Sequence, residues 1–221
     1  MEFEYILYSV QITKKICFLL DLDNNWLSSY CINYIKKNKN RGIKIYYNFQ
    51  KIKNYDYVFV LGYTRILPKI LIERNKLVMV IHESNLPKGK GFSPLQWQIL
   101  KNKKIIKINL IKLEPKVDSG DIIFTDYLRL NGSELYNEIR SKQAAATFKL
   151  IDKFLSQKIY RYKKQKGKET FFRKRNPADS NIDINQTLKK SFNLLRICNN
   201  EEWPAFFFYK NHKYILKIFK N

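Results

Sequence analysis

Three short, uninterrupted apolar runs limit what this chain can fold into: Lys15 to Asp21 (KICFLLD), Tyr57 to Leu61 (YVFVL) and Leu77 to Ile81 (LVMVI). A strand with one wet face alternates apolar and polar residues, whereas a strand covered on both faces reads as a continuous apolar run. The first run is followed by Asn24-Asn25 and then by an amphipathic stretch through Lys39. That is strand, loop and helix, the first half of a βαβ unit. The pattern predicts an α/β fold with a mostly parallel sheet covered on both sides.

Lys104 to Lys112 and Ile122 to Leu128 read as two further strands, joined by a loop through Asp118-Ser119-Gly120-Asp121. Asn131 with Glu134 three positions on has the spacing of a helix start, and Leu135, Ile139, Ala146, Leu150 and Phe154 follow on one stripe. From Lys158 to Arg175 the texture changes: nine basic residues accompany the single acid Glu169, with Gly167 between them. A solvated linker is the natural reading. It divides the chain into a core at 1–160 and a small α+β extension at 161–221. In the extension, Asp183 with Gln186 marks a helix bearing Leu188, Phe192 and Leu195. Ala205 to Tyr209 and Tyr214 to Phe219 then form a hairpin around Lys210-Asn211-His212-Lys213.

The 221 residues hold 42 Lys or Arg against 19 Asp or Glu, a formal charge of +23. Such charge suits a polyanion. However, 33 of the basic residues are Lys and only 9 are Arg, beside 21 Asn, a usage that A+T-rich codons produce without a nucleic-acid partner. A small anion such as a nucleotide diphosphate is therefore preferred over nucleic acid. Cys17, Cys31 and Cys198 are far apart and His82 and His212 are the only histidines, so no metal-ligand spacing occurs. The isolated cysteines fit a reducing compartment. No run approaches eighteen apolar residues, and a cytoplasmic protein without a membrane span is expected.

Ligands of open parallel sheets bind beyond the carboxyl ends of the strands, and His82 stands directly after such a strand. The loop that follows, Glu83 to Pro94, holds two of the seven glycines and two of the six prolines. Within it, His82-Glu83-Ser84-Asn85-Leu86-Pro87-Lys88-Gly89-Lys90-Gly91 gives H-x-S-x-L-P-x-x-x-G. Asp118-Ser119-Gly120-Asp121-Ile122, giving D-x-G-x-I, begins 36 residues after His82. This pair resembles the signature of the 10-formyltetrahydrofolate-dependent formyltransferases. Gly62 to Pro68 is similar to the segment lining their folate pocket. Arg173 to Asp179 with Ile182-Asp183 is similar to the R-x-P-x-D-x-x-I-D region of the sugar formyltransferases. The string HESNLPKGKGFSPLQWQIL most resembles amino-sugar N-formyltransferases of pseudaminic-type, surface-glycan pathways.

The resemblance implies a Rossmann-like core of the formyltransferase type, with formyl transfer from 10-formyltetrahydrofolate to the amine of a UDP- or dTDP-linked 4-amino sugar. It assigns catalysis to His82 and Asp118, and the folate to Ile66, Leu67, Pro68, Ser119, Gly120 and Asp121. The sugar nucleotide falls to Ser84, Asn85, Lys88, Lys90, Gly91, Arg175 and Asp179, with the two lysines meeting the diphosphate. One position departs from the pattern: the family usually has Asn two residues before the His, holding the formyl oxygen, and here stands Val80. Valine donates no hydrogen bond. Ser84, Asn85 or a backbone N–H is the expected replacement. About 50 residues follow the basic segment, fewer than methionyl-tRNA formyltransferases use to grip tRNA. A tRNA-directed or RNA-associated protein is thus the alternative, and a non-catalytic folate- or sugar-binding relative the third. A homodimer through the Phe206-Phe207-Phe208 run is a further possibility.

Overall fold

A computed structural model describes residues 14–157, 159 and 161–221, the side chains of residues 23–25 excepted. Lys158 of the basic segment and residues 1–13 of the expected core lie outside the described residues. Six strands form the main sheet: β1 (Ile16–Leu20), β2 (Lys44–Tyr46), β3 (Tyr57–Leu61), β4 (Leu77–His82), β6 (Ile105–Lys112) and β7 (Ile122–Arg129), in the order β2-β1-β3-β4-β6-β7. β1 to β4 are mutually parallel, whereas β6 is antiparallel to both β4 and β7. The expected mostly parallel α/β sheet is present.

The continuous apolar runs have a simple cause. Alternate residues of each strand enter different cores, as the two-residue side-chain period requires. Phe18, Phe59 and Met79 join one core with Ile139, Leu150 and Phe154 of α4 (Tyr136–Ser156), while Cys17, Leu19, Val58, Val60 and Val78 join the other with Leu71 of α2 (Lys69–Glu73). With neither face wet, both sets of positions are apolar away from the carboxyl ends of the strands.

Two helix starts differ from expectation. α4 begins at Tyr136, not Asn131, because the Glu134 carboxylate closes the preceding turn by accepting the N–H groups of Asn131 at 2.8 Å and Gly132 at 3.0 Å. Glu138 then accepts the Leu135 N–H at 2.8 Å at the true helix start. α5 (Leu188–Ile197) is capped by Thr187, whose hydroxyl accepts the Lys190 N–H at 3.3 Å, whereas Asp183 closes its own turn on Asn185. The hairpin of β9 (Ala205–Tyr209) and β10 (His212–Leu216) turns through Lys210 and Asn211, at φ 45° and 62°. Both central residues in the left-handed region match the tight turn that suits twisted strands. The second strand therefore starts at His212 rather than Tyr214. The basic segment also departs from a plain linker: β8 (Phe171–Phe172) pairs in parallel with β5 (Lys90–Gly91), inside the loop after His82.

Candidate active site

β4 carries His82 to the carboxyl edge of the sheet, where the ring is 4% exposed. Its Nε2 lies 2.8 Å from the Gly89 carbonyl oxygen. A carbonyl only accepts, so Nε2 carries the proton, and in the neutral ring Nδ1 is left with a lone pair. Nδ1 faces Asp118, whose Oδ2 is 3.4 Å away. That same Oδ2 accepts the Gly91 N–H at 2.8 Å, which ties the loop after β4 to the loop after β6. The arrangement gives a proton a place to go, between Nδ1 and the carboxylate.

Local backbone chemistry explains the glycines. A Cβ on Gly91 would stand 2.4 Å from the Phe172 carbonyl oxygen, and one on Gly120 1.9 Å from that of Lys112. Both positions exclude any side chain. Asp118 itself takes φ 47°, a left-handed conformation that Asp tolerates better than most residues.

His82 and Asp118 open onto a cavity of about 680 Å³. One wall is apolar: Tyr63, Leu67, Val80 and Leu113, partly buried against the smaller core, all line it. The lining also includes cationic and aromatic groups. Arg140 sits over the Trp26 ring at 4.4 Å and the Tyr136 ring at 5.1 Å, and Arg175 lies 6.0 Å from the Trp203 ring centroid. Arg175 donates Nη2 to the Asp179 carbonyl at 2.9 Å and has the Cys198 thiol as a neighbour, while its buried Nε and Nη1 reach no oxygen acceptor among the described residues. Burial makes that charge costly and lowers the guanidinium pKa.

Of the residues expected at the site, His82, Asp118, Ile66, Leu67, Gly91 and Arg175 line this cavity. Pro68, Ser119, Gly120 and Asp121 do not; Gly120 is instead pressed against β6. Ser84 is 1% exposed behind the loop, with its carbonyl held by Asn109, and exposed Asn85 accepts a hydrogen bond from Lys107. Neither lines the cavity, so neither replaces an amide at Val80. Lys88 faces solvent and Lys90 turns inward, 1% exposed, onto Glu169 at 2.6 Å. Two lysines meeting a diphosphate from this loop is therefore corrected: β5 pairing buries one and points it away. Asp179 also serves structure, since it holds Arg173 and accepts the Asn176 N–H at 2.8 Å, partners that keep its carboxyl near 2.

Sequence reasoning missed a polar stripe on α4. Arg140, Gln143 and Thr147, spaced three and four residues apart, all line the cavity, and Gln143 donates to the Glu83 carboxylate at 2.6 Å. Buried Gln143 and Thr147 interrupting an apolar stripe were the available signal. Among the described residues no group of three or more His, Cys, Asp or Glu is placed to hold a metal, and no helix is long and apolar enough to cross a membrane.

A mostly parallel sheet with a His–Asp pair at its carboxyl edge, opening onto a cavity lined by apolar and cationic groups, defines a class of α/β protein with its ligand site at the strand ends. Residues 33–152 match the model of the formyl transferase family, and the chain belongs to that family. A methionyl-tRNA formyltransferase of Thermodesulfovibrio yellowstonii is 28% identical over 175 residues, covering 77% of this chain and 56% of that protein. The chain thus spans about half the length of such curated relatives. Among solved structures, a methionyl-tRNA formyltransferase from Clostridium thermocellum superposes with a TM-score of 0.77 at 27% identity, covering 90% of each chain. A likely sugar N-formyltransferase from Mycobacterium tuberculosis shares the fold with a TM-score of 0.71 at 14% identity, covering 93% of this chain and 97% of that one.

Proposed function

We propose that this protein is an enzyme that moves a formyl group from 10-formyltetrahydrofolate to the primary amine of a nucleotide-linked amino sugar. The carrying observation is the His82–Asp118 pair, with Nδ1 and Oδ2 3.4 Å apart and both residues lining the cavity. The folate supplies an activated formyl group on nitrogen. The apolar wall of Tyr63, Leu67, Val80 and Leu113 fits a flat ring system, and Ile66 with Leu67 would border it. The amine lone pair attacks the formyl carbon, the bond from that carbon to the folate nitrogen breaks with its electron pair leaving on that nitrogen, and the amine loses a proton. His82 Nδ1, presenting a lone pair, takes that proton, and the imidazolium returns it to the folate nitrogen. Asp118 stabilises the imidazolium so formed, and its bond from Gly91 N–H keeps the carboxylate in place. Burial of the His82 ring strengthens each of these interactions.

The buried Nε and Nη1 of Arg175, which reach no oxygen acceptor among the described residues, support an anionic substrate, and Trp203 and Trp26 beside the cavity arginines support a flat base. The sugar reading also draws on the resemblance of the 82–100 segment. A second reading, the amine of methionyl-tRNA, is favoured by the curated relatives, and it shares the amine chemistry. The test is direct: the protein, 10-formyltetrahydrofolate, and in separate reactions UDP- or dTDP-4-amino sugars and charged initiator tRNA, followed by mass. Gain of one formyl group on a sugar nucleotide supports the proposal. Gain only on the tRNA replaces the acceptor, and gain on neither sinks the transferase reading in favour of a binding relative.

A further inference from the structure

The basic segment after α4 runs back across the site and touches both of its loops. Lys163 exchanges two backbone hydrogen bonds with Ile122, each 2.8 Å. Gln165 Nε2 donates to the carbonyls of Asp118 and Gly120, both at 2.8 Å. The Thr170 hydroxyl accepts the Gly89 N–H at 2.8 Å and its carbonyl accepts the Lys90 N–H at 2.9 Å. Glu169 bridges Lys90 at 2.6 Å and Lys116, two residues before Asp118, at 2.9 Å.

These contacts converge on the peptide whose carbonyl holds His82. The Gly89 carbonyl receives Nε2–H, the Lys90 N–H of that same peptide goes to the Thr170 carbonyl, and the N–H of the preceding peptide, on Gly89, goes to the Thr170 hydroxyl. An exposed ion pair contributes little, but Lys90 is 1% exposed, so loss of Glu169 would leave a buried ammonium without its carboxylate. Lys90 would then have to move toward water, and the Gly89 carbonyl is one residue away. Thr170, by contrast, is exposed, and Thr170→Val removes the hydroxyl contact to Gly89 while the backbone bonds to Lys90 and Pro87 stay in place.

We propose that Glu169 and Thr170 are positioning residues: they fix the Gly89 carbonyl, and through it the Nε2–H tautomer and orientation of His82. Nδ1 is thereby kept toward Asp118 with its lone pair available. The kinetic consequence rests on the formyl-transfer reading, whereas the effect on the imidazole does not.

The experiment uses the full chain as wild type, Glu169→Gln and Thr170→Val. The sequence has only two histidines, so ¹⁵N-histidine spectra with His212→Gln as the assignment control isolate His82. Wild-type His82 should show one neutral tautomer, protonated at Nε2, and both variants a mixture of tautomers with folded spectra otherwise retained. With active enzyme, kcat should fall on the order of 10-fold while KM for both substrates stays within about twofold, the mark of lost alignment rather than lost binding. Unchanged His82 signals in both variants overturn the proposal, as does a raised KM with unchanged kcat, which would mean direct substrate contact. If Glu169→Gln does not fold, Thr170→Val decides alone. Tautomer mixing in a protein that transfers no formyl group keeps the positioning role and removes the functional reading; the converse removes only the positioning role.

Discussion

Two carboxylates in this molecule each bridge two cations, and they serve different ends. Glu134 is 3% exposed at its side chain, with Lys142 at 2.5 Å, Arg196 of α5 at 3.5 Å and two backbone N–H donors. It joins the start of α4 to the C-terminal helix. Glu169 is 36% exposed, and its two lysines belong to the loops that carry the His82 and Asp118 contacts. Burial raises the Glu134 carboxyl, but its hydrogen bonds outweigh that and hold it near 2; Lys90 and Lys116 hold Glu169 below the ordinary range as well. A similar charge motif thus stabilises a fold when it is dry, and aligns a site when it stands at the rim.

The largest effect expected lies on the site side. His82→Ala and Asp118→Asn, which keeps an acceptor for Gly91 and a residue that suits φ 47°, should each lower kcat by about 100- to 10,000-fold, with thermal midpoints close to wild type. A collapse of stability in both would erase the distinction between the two regions. Next comes Glu134→Gln, which leaves buried Arg196 underpaired and should cost about 3 kcal/mol of stability, while activity per folded molecule persists. Its acid dependence has a definite sign. With the native carboxyl near 2 and the ordinary value 4.5, the contribution of ~3 kcal/mol is complete above pH 4.5 and is lost as pH falls toward 2. Urea titrations at pH 6, 4 and 3 on wild type and Glu134→Gln should draw steadily closer as pH falls, with roughly 40% of the difference left at pH 3; parallel curves would refute the assignment.

Smaller is Val80→Asn. Val80 lines the cavity on β4 two residues before His82, and an amide there should raise kcat roughly 10-fold by supplying a donor to the developing oxyanion. No gain would mean that another group already fills that role. The smallest effect is the thiol response. Burial pushes Cys17 and Cys31 up to about 12, so alkylation at pH 8 should be negligible in the native state and should quicken in Glu134→Gln, which opens the fold, but not in Glu169→Gln. Equal rates in the two variants would break the comparison.

The strands were legible because burial on both faces removes every polar position, as β1, β3 and β4 illustrate. β2 and α2 were not, since Lys44–Tyr46 and Lys69–Glu73 are too short for periodicity to register. That His82 and Asp118 come together was legible from a strand-end position and a motif pair. The fates of Lys88 and Lys90 were not: the two residues flank Gly89 alike, and only the register of β5 on Phe171–Phe172, some 80 residues away, sends one to solvent and the other inside. Likewise, nothing local in a basic run says that Phe171-Phe172 will pair with a distant loop. Gln143 and Thr147 showed only as polar interruptions of an apolar stripe, and Arg140 not at all.

The parallel pairing of Lys90–Gly91 with Phe171–Phe172 bears on how such a chain can be recombined. A crossover near residue 160 looks safe on composition, because charge and texture change there. A foreign C-terminal half joined at that point would, however, bring its own strand to Gly91, where the Phe172 carbonyl passes within 2.4 Å of the missing Cβ, and its own residue in place of Glu169 beside buried Lys90. Chimeras spliced after residue 172 should inherit the parent's active-site alignment, and those spliced before it should inherit the donor's.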